Sequence, residues 1–282
     1  MTTPPAVHLD GSLELDPEWT VRILAKFVEK ELHRTGLRDL VLGLSGGIDS
    51  AVVAYVAARA IDPARIHACL MPYRTSSDDS LKDARLVVDD LGIDAETIDI
   101  SPLVDGFQET TGDVDRLRLG NVMARERMTL LYDRSAAHDA LVLGTSNKTE
   151  LLLGYGTLHG DLASALNPIG DLYKTQVRAL AEYLVVPRSI RDKPPSADLW
   201  PDQNDEDDLG FSYAEVDRLL ALLIDARVSR VAAIEAGFSA GLIDRVTRQI
   251  ARTQFKRMPP IIAKISTRSI GWDFRYPRDW LT

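Results

Sequence analysis

The residues of this sequence best suited to holding an anion are Ser45-Gly46-Gly47-Ile48-Asp49-Ser50, followed at once by a helix-forming run from Ala51 to Ala60. Adjacent glycines let the backbone take positive φ and turn successive N–H groups toward one centre. The helix that follows adds the partial positive charge of its N-terminus. Ser45 and Ser50 supply hydroxyl donors. Asp49 is the informative exception, because a carboxylate in an anion site repels phosphate unless a cation lies between them, as when Mg²⁺ bridges to phosphate oxygens. The string is not a Walker A loop: Gly-x-x-x-x-Gly-Lys is absent and no lysine follows the second glycine. The plainer alternative is an ordinary glycine turn in which Asp49 caps the helix.

Such a turn needs a strand before it and a helix after it. Leu40 to Leu44 supplies the apolar run before the turn, and Ile66 to Met71, Ala95 to Ile100 and Leu141 to Gly144 are three further short runs, separated by segments of helical periodicity. This alternation predicts an α/β fold with a doubly wound parallel sheet, helices on both faces and ligands in the crevice beyond the carboxyl ends of the strands. The stretches at those ends, Ser45 to Ser50, Pro72 to Ser77 and Thr145 to Glu150, are polar and small. Ahead of the first strand, Pro17 opens a helix in which Val21, Leu24, Ala25, Val28 and Leu32 recur at helical spacing, and Gly36 closes it.

Residues 1–15 carry Pro4, Pro5 and Gly11 without periodicity and read as an arm. Beyond Val186 a proline-bearing, acidic loop from Lys193 to Gly210 leads into predicted helices at Tyr213 to Ala226 and Ala240 to Arg257. The expectation is a single domain, with the α/β core over 16–186 and the acidic loop and a C-terminal helical extension over 187–282. The acidic run Asp202, Asp205, Glu206, Asp207, Asp208 reads as a solvated loop face in preference to a metal cluster.

A chain of 282 residues, 45% hydrophobic, can bury a full core. Its net charge of -9 gives no general basic field, which argues against a nucleic acid partner held by counterion release. The single cysteine, Cys69, lies in an apolar run and reads as a small buried hydrophobe, so disulfides and cysteine metal sites are excluded. No apolar stretch reaches the ~20 residues of a membrane helix, and the N-terminus lacks the apolar core of a signal peptide. A soluble cytoplasmic protein without a membrane partner is expected.

Ser-Gly-Gly-x-Asp-Ser after an apolar strand resembles the signature of the PP-loop ATP pyrophosphatases, whose fold is the Rossmann-like adenine nucleotide alpha hydrolase type. Further motifs narrow the resemblance: Leu141-Val142-Leu143-Gly144-Thr145-Ser146-Asn147-Lys148-Thr149-Glu150, Gly154-Tyr155-Gly156-Thr157-Leu158-His159-Gly160-Asp161, and Asn167-Pro168-Ile169-Gly170-Asp171-Leu172-Tyr173-Lys174-Thr175. With Gly120 to Arg125, Lys193 to Trp200 and Asp205 to Gly210, they resemble the NAD synthetases in order and spacing over roughly Leu13 to Lys256.

The resemblance implies ATP-dependent amidation of deamido-NAD through an adenylated intermediate, giving NAD, AMP and pyrophosphate. It implies ATP and Mg²⁺, a homodimer, and free ammonia or ammonia from a separate subunit, since this length leaves no room for a glutaminase domain. By motif, Asp49 and Glu150 match metal ligands. Ser45, Gly46, Gly47, Ile48, Asp49, Ser50, Thr145, Lys174 and Ser196 match ATP contacts, Arg125 and Lys256 match contacts to deamido-NAD, and Asp161 matches an aspartate that takes a proton from ammonium. Lys174 and Asp161 are the expected catalytic pair.

Each has a bland counterpart: Lys174 as an exposed lysine at a helix start, Glu150 as a first-turn acid on the dipole, Ser196 and Asp161 as turn residues, and Arg125 as a surface arginine on a helix it shares with Arg116, Arg118 and Arg127. A lysine at a helix start meets the unfavourable end of the dipole, which itself favours a nearby anion.

The sequence departs from many bacterial relatives at Leu158, Ala165 and Phe255, where they carry lysine, aspartate and histidine; Phe255 is read as core filling in preference to base stacking. The acceptor half is therefore less closely matched than the ATP half. Two rivals are another PP-loop amidating ligase, such as a GMP synthetase ATPase subunit, and a nucleotide-binding relative without catalysis.

Overall fold

The computed structural model of the chain describes residues 13–196, 200 and 204–270. The expected arm lies largely outside these residues, as do Ala197 to Leu199 and Asp202. The first helix, α1 (Pro17–Thr35), begins where the Asp16 carboxylate accepts the Trp19 N–H at 3.0 Å and stops at Gly36, which takes φ 75° as a left-handed cap.

Four strands follow, β1 (Asp39–Gly43), β2 (Ile66–Leu70), β3 (Asp94–Thr97) and β4 (Ala140–Leu143), all parallel in the order β3-β2-β1-β4. Connecting them are α2 (Ile48–Ala60), α3 (Asp78–Leu91), α4 (Ser101–Thr111) and α5 (Arg116–His138). Successive strand residues face opposite sides. Leu40, Leu42, Ile66, Leu70, Leu141 and Leu143 pack with α1 and α2, whereas Val41, Cys69, Ala140 and Val142 pack with Val104 of α4 and Met128 and Leu131 of α5. Helices therefore cover both faces, as the alternation predicts.

The strand order reverses at β1, so the crevice beyond the carboxyl ends opens between β1 and β4. Beyond β4 come α6 (Lys148–Leu153), α7 (Lys174–Tyr183), α8 (Arg188–Arg191), α9 (Asp205–Leu209), α10 (Tyr213–Leu220), α11 (Arg230–Glu235) and α12 (Ala240–Arg252). Val216, Leu219 and Leu220 of α10 and Leu242, Ile243 and Val246 of α12 form a further core with Leu153, Tyr173, Phe211 and Phe238.

Three element boundaries differ from expectation by more than one residue. β3 ends at Thr97, not Ile100: Ile98 and Ile100 still donate to the Leu70 and Pro72 carbonyls at 2.8 and 3.0 Å, but Pro72 has no N–H to return and the ladder stops. The helix from Tyr213 widens into a π-helix at Ala221–Asp225, where the Ala226 N–H reaches Ala221 at 2.9 Å. The last helix stops at Arg252, because the Thr253 hydroxyl bonds back to the Gln249 carbonyl at 2.8 Å; a 3-10 turn, Gln254–Arg257, follows.

Candidate active site

The turn after β1 has the conformation its glycines allow. Gly46 takes φ 76°, and a Cβ there would collide with the Ser80 carbonyl, so only glycine fits. Gly47 is the N-cap of α2, and no side chain caps this helix. Asp49 therefore does not cap it, and the first amides of α2 keep no partner within the helix. The Gly47 N–H donates to Ser45 Oγ at 3.2 Å, the Ser45 N–H to Ser50 Oγ at 3.2 Å, and the Ser50 hydroxyl to the Gly47 carbonyl at 3.0 Å. These internal bonds fix the shape of the turn at the end of the strand, beside the first amides of α2.

Beside the turn lies Lys174, the first residue of α7. It is 2% exposed, so the solvent-exposed alternative for this lysine does not hold. Its Nζ lies 2.5 Å from Asp49 Oδ2 and 3.4 Å from Glu150 Oε1. Burial disfavours the ammonium, but Asp49 and then Glu150 outweigh this and push its pKa up, so the group stays charged. Burial drives the Glu150 carboxyl above the usual carboxylate range; Lys174 opposes that and Asp49 adds to it.

Asn147 completes the group. Its side-chain oxygen accepts the Glu150 N–H at 3.0 Å, its own N–H donates to Glu150 Oε2 at 3.2 Å, and its Nδ2 donates to Asp49 Oδ1 at 2.9 Å. The capping box fixes the Glu150 carboxylate, and the Asn147 amide fixes that of Asp49, on either side of the Lys174 ammonium. Carboxylate oxygens are the hard donors Mg²⁺ takes, and here a metal would share them with the Lys174 ammonium. Among the described residues no three His, Cys, Asp or Glu side chains group as an all-protein metal cage, so phosphate oxygens and water would have to complete the shell.

The Lys174 cluster opens into a cleft of about 710 Å³, and beside it Gly47 and Ile48 line a smaller pocket of about 290 Å³ that shares Ser45, Asp49, Lys174 and Ser196; Gly46 and Ser50 line neither. Thr145, Asp161, Ser196 and Lys256 line the larger cleft along with Ser45, Asp49, Glu150 and Lys174. Asp161 accepts the Thr157 N–H at 2.7 Å; it touches cleft solvent, yet the protein around it desolvates the carboxyl and raises its pKa. Lys256 Nζ donates to the Gly154 and Gly156 carbonyls at 2.8 and 2.7 Å, and desolvation lowers its pKa against the pull of Asp161.

Arg125 is not brought in: it is exposed, lies outside the cleft lining, and donates to the Leu158 carbonyl at 3.2 Å. Arg116 and Arg127 of the same helix line the cleft instead. Phe255 is 57% exposed, which overturns its reading as core filling; it sits on the 3-10 turn whose lysine and arginine point inward.

A family model described as NAD synthase matches residues 20–260. The chain belongs to the NAD synthase family. The "NH(3)-dependent NAD(+) synthetase" of Chlorobaculum parvum is 55% identical to it over 277 residues, 98% of each chain. Among solved structures, "NMN synthetase from Francisella tularensis" superposes with TM-score 0.80 at 32% identity, over 89% of this chain and 99% of that one. "NH3-dependent NAD synthetase from Campylobacter jejuni" does so with TM-score 0.76 at 36% identity, over 89% and 100%.

Within this NAD synthase chain, the reading of the acidic run as solvated fails at Asp205. The residue is buried, and the Tyr155 and Tyr213 hydroxyls donate to it at 2.9 and 3.4 Å in place of water. Asp207 and Asp208 are exposed, as that reading expects. Asn147 carries a visible signal that went unused, the spacing Asn-x-x-Glu at a helix start. Lys193, which donates to Ser80 Oγ at 2.9 Å beside the glycine turn, has no such signal.

Proposed function

We propose that the chain makes NAD by ATP-dependent amidation of deamido-NAD with ammonia. As a carbon–nitrogen ligase of the NAD synthase family it uses ATP, and the observation that carries the reading is the buried Lys174 ammonium between Asp49 and Glu150, which shares a small pocket with Gly47 and Ile48 at the start of α2. A carboxylate is a poor electrophile. Its oxygen attacks the α-phosphorus of ATP, the bond to the β-phosphate oxygen breaks, and pyrophosphate leaves with the negative charge. Lys174 and the first amides of α2 stabilise that charge, aided by the hydroxyls of Ser45, Thr145 and Ser196.

Ammonia then attacks the acyl carbon and AMP departs. Ammonium has no lone pair, and Asp161, with its raised pKa, is the group suited to take the proton. Asp49 and Glu150 would hold Mg²⁺, which when bound neutralises phosphate charge.

Arg125 and Lys256 belong to the acceptor side. That Arg125 is exposed and outside the cleft lining supports an acceptor site completed by a second copy, and with it a homodimer. The α/β core and C-terminal helices act as one domain, and dependence on ATP supports a cytoplasmic setting. The likeness to the Francisella tularensis NMN synthetase, together with Leu158, Ala165 and Phe255, favours a second reading in which the acceptor is a nicotinate mononucleotide.

Incubation with ATP, Mg²⁺ and ammonium against deamido-NAD, nicotinate mononucleotide and a xanthine nucleotide decides the acceptor. Formation of NAD and pyrophosphate is expected, and release of ADP with phosphate would refute cleavage between the α and β phosphates. Lys174→Ala should lower the rate by at least about 100-fold, the scale of losing one preorganised charge-stabilising group. Light scattering should find a dimer; a fully active monomer contradicts the shared acceptor site.

A further inference from the structure

Asp217 is fully buried on α10, a helix whose other inward residues are apolar, and it does not line the cleft. A carboxylate in that position must find its hydrogen bonds within the protein. Its Oδ1 accepts the Thr149 hydroxyl at 2.5 Å and its Oδ2 accepts the Thr175 N–H at 2.8 Å. Thr149 Oγ1 in turn accepts the Lys174 N–H at 3.1 Å. The first two amides of α7 thus end, one directly and one through a single hydroxyl, on the same carboxylate.

The placement matters because of the neighbours in sequence. Thr149 precedes Glu150 on α6, and Thr175 follows Lys174 on α7. Tying the Thr149 hydroxyl and the first two amides of α7 to one carboxylate fixes where the helices present the Glu150 carboxylate and the Lys174 ammonium. A helix that begins with lysine also meets its own dipole unfavourably, and a negative charge at its amino end offsets this. We propose that Asp217 is a positioning residue for the amidation: acting through Thr149 and the start of α7, it sets the Lys174 ammonium against Asp49 and Glu150 without touching substrate.

The inference rests on the proposed function, and the experiment separates the two. Thr149→Val, Thr149→Ser and Asp217→Asn are compared with the unaltered chain for kcat and for the KM of ATP, each per folded molecule by circular dichroism. A displaced ammonium loses stabilisation of the charge that develops on pyrophosphate, so the loss falls on kcat. Thr149→Val and Asp217→Asn should lower kcat tenfold or more with the KM of ATP changed less than threefold. Thr149→Ser, which keeps the hydroxyl, should stay within twofold of the unaltered chain.

The proposal is overturned if folded Thr149→Val and Asp217→Asn keep kcat within twofold and lose only melting temperature, or if Thr149→Ser is as slow as Thr149→Val. Should Asp217→Asn fail to fold, the Thr149 pair decides alone. An unaltered chain that releases pyrophosphate but forms no NAD counts against the acceptor, not against Asp217, whose effect is then read from pyrophosphate release. An unaltered chain that releases none removes both.

Discussion

Asp39 stands at the amino end of β1, the end opposite the chemistry, and its carboxylate accepts from the His67 ring at 3.0 Å and from Arg65 at 3.2 Å. Burial raises its pKa, but His67 and Arg65 outweigh that and the net shift is downward from 3.8. A depressed folded pKa contributes stability that is complete above the ordinary carboxylate range and is lost as pH falls through the folded value. Asp39→Asn should therefore cost about 1 kcal/mol at pH 7, and the gap to the parent should close below pH 3.8 in thermal unfolding. Asp49 and Lys174 stand out in the sequence because their types conflict with their surroundings, an acid in an anion turn and a lysine at a helix start, whereas Glu150, a first-turn acid that suits the dipole, is marked only by its motif. Asp217 does not stand out. Its partners lie 68 and 42 residues away, and nothing along α10 marks it as buried.

The elements that carry these residues depend on two close approaches. At the turn after β1, Gly46→Ala would need both a left-handed backbone and the space of the Ser80 carbonyl, so α3 must shift. ATP-dependent pyrophosphate release should fall at least tenfold in that variant; an unchanged rate would remove the turn from the phosphate site. At the other approach, the 3-10 turn after α12 reaches the carboxyl end of α6: Arg257 donates to the Leu151 and Leu152 carbonyls at 2.8 and 2.9 Å, and to Ile250 at 2.6 Å. Arg257→Ala leaves carbonyls unpaired at a half-buried helix end and should destabilise by about 2 kcal/mol, measured by chemical denaturation. Helix α1 was legible to the residue because a proline and a glycine punctuate it. The end of the final helix was not, since Thr253 stops it through a backbone bond that periodicity does not register.

At the scale of the molecule, the cleft takes its walls from β1, β2, β4, α2, α3, α5, α6, α7 and α9, and so touches each of the packed cores. A nucleotide there should stabilise the whole. An ATP analogue with carbon between the α and β phosphates, at 100 times its dissociation constant, should add about 2.7 kcal/mol. Melting should rise by several degrees, and no rise would count against the cleft as the nucleotide site. The sheet was readable from strand and helix alternation, because parallel crossovers enforce it. The inward route of Arg127 in place of Arg125 was not, since both lie on one helix and what marks Arg127 is a hydrogen bond to the distant Met71 carbonyl. Helix α6 has six residues, too few to stand alone in water. Asn147 holds its beginning, while Gln249 and Arg257, about a hundred positions further on, hold its finish. Deuterium uptake at the amides of 151–154 is thus a gauge of whether the segment carrying Gln249 and Arg257 has docked against α6.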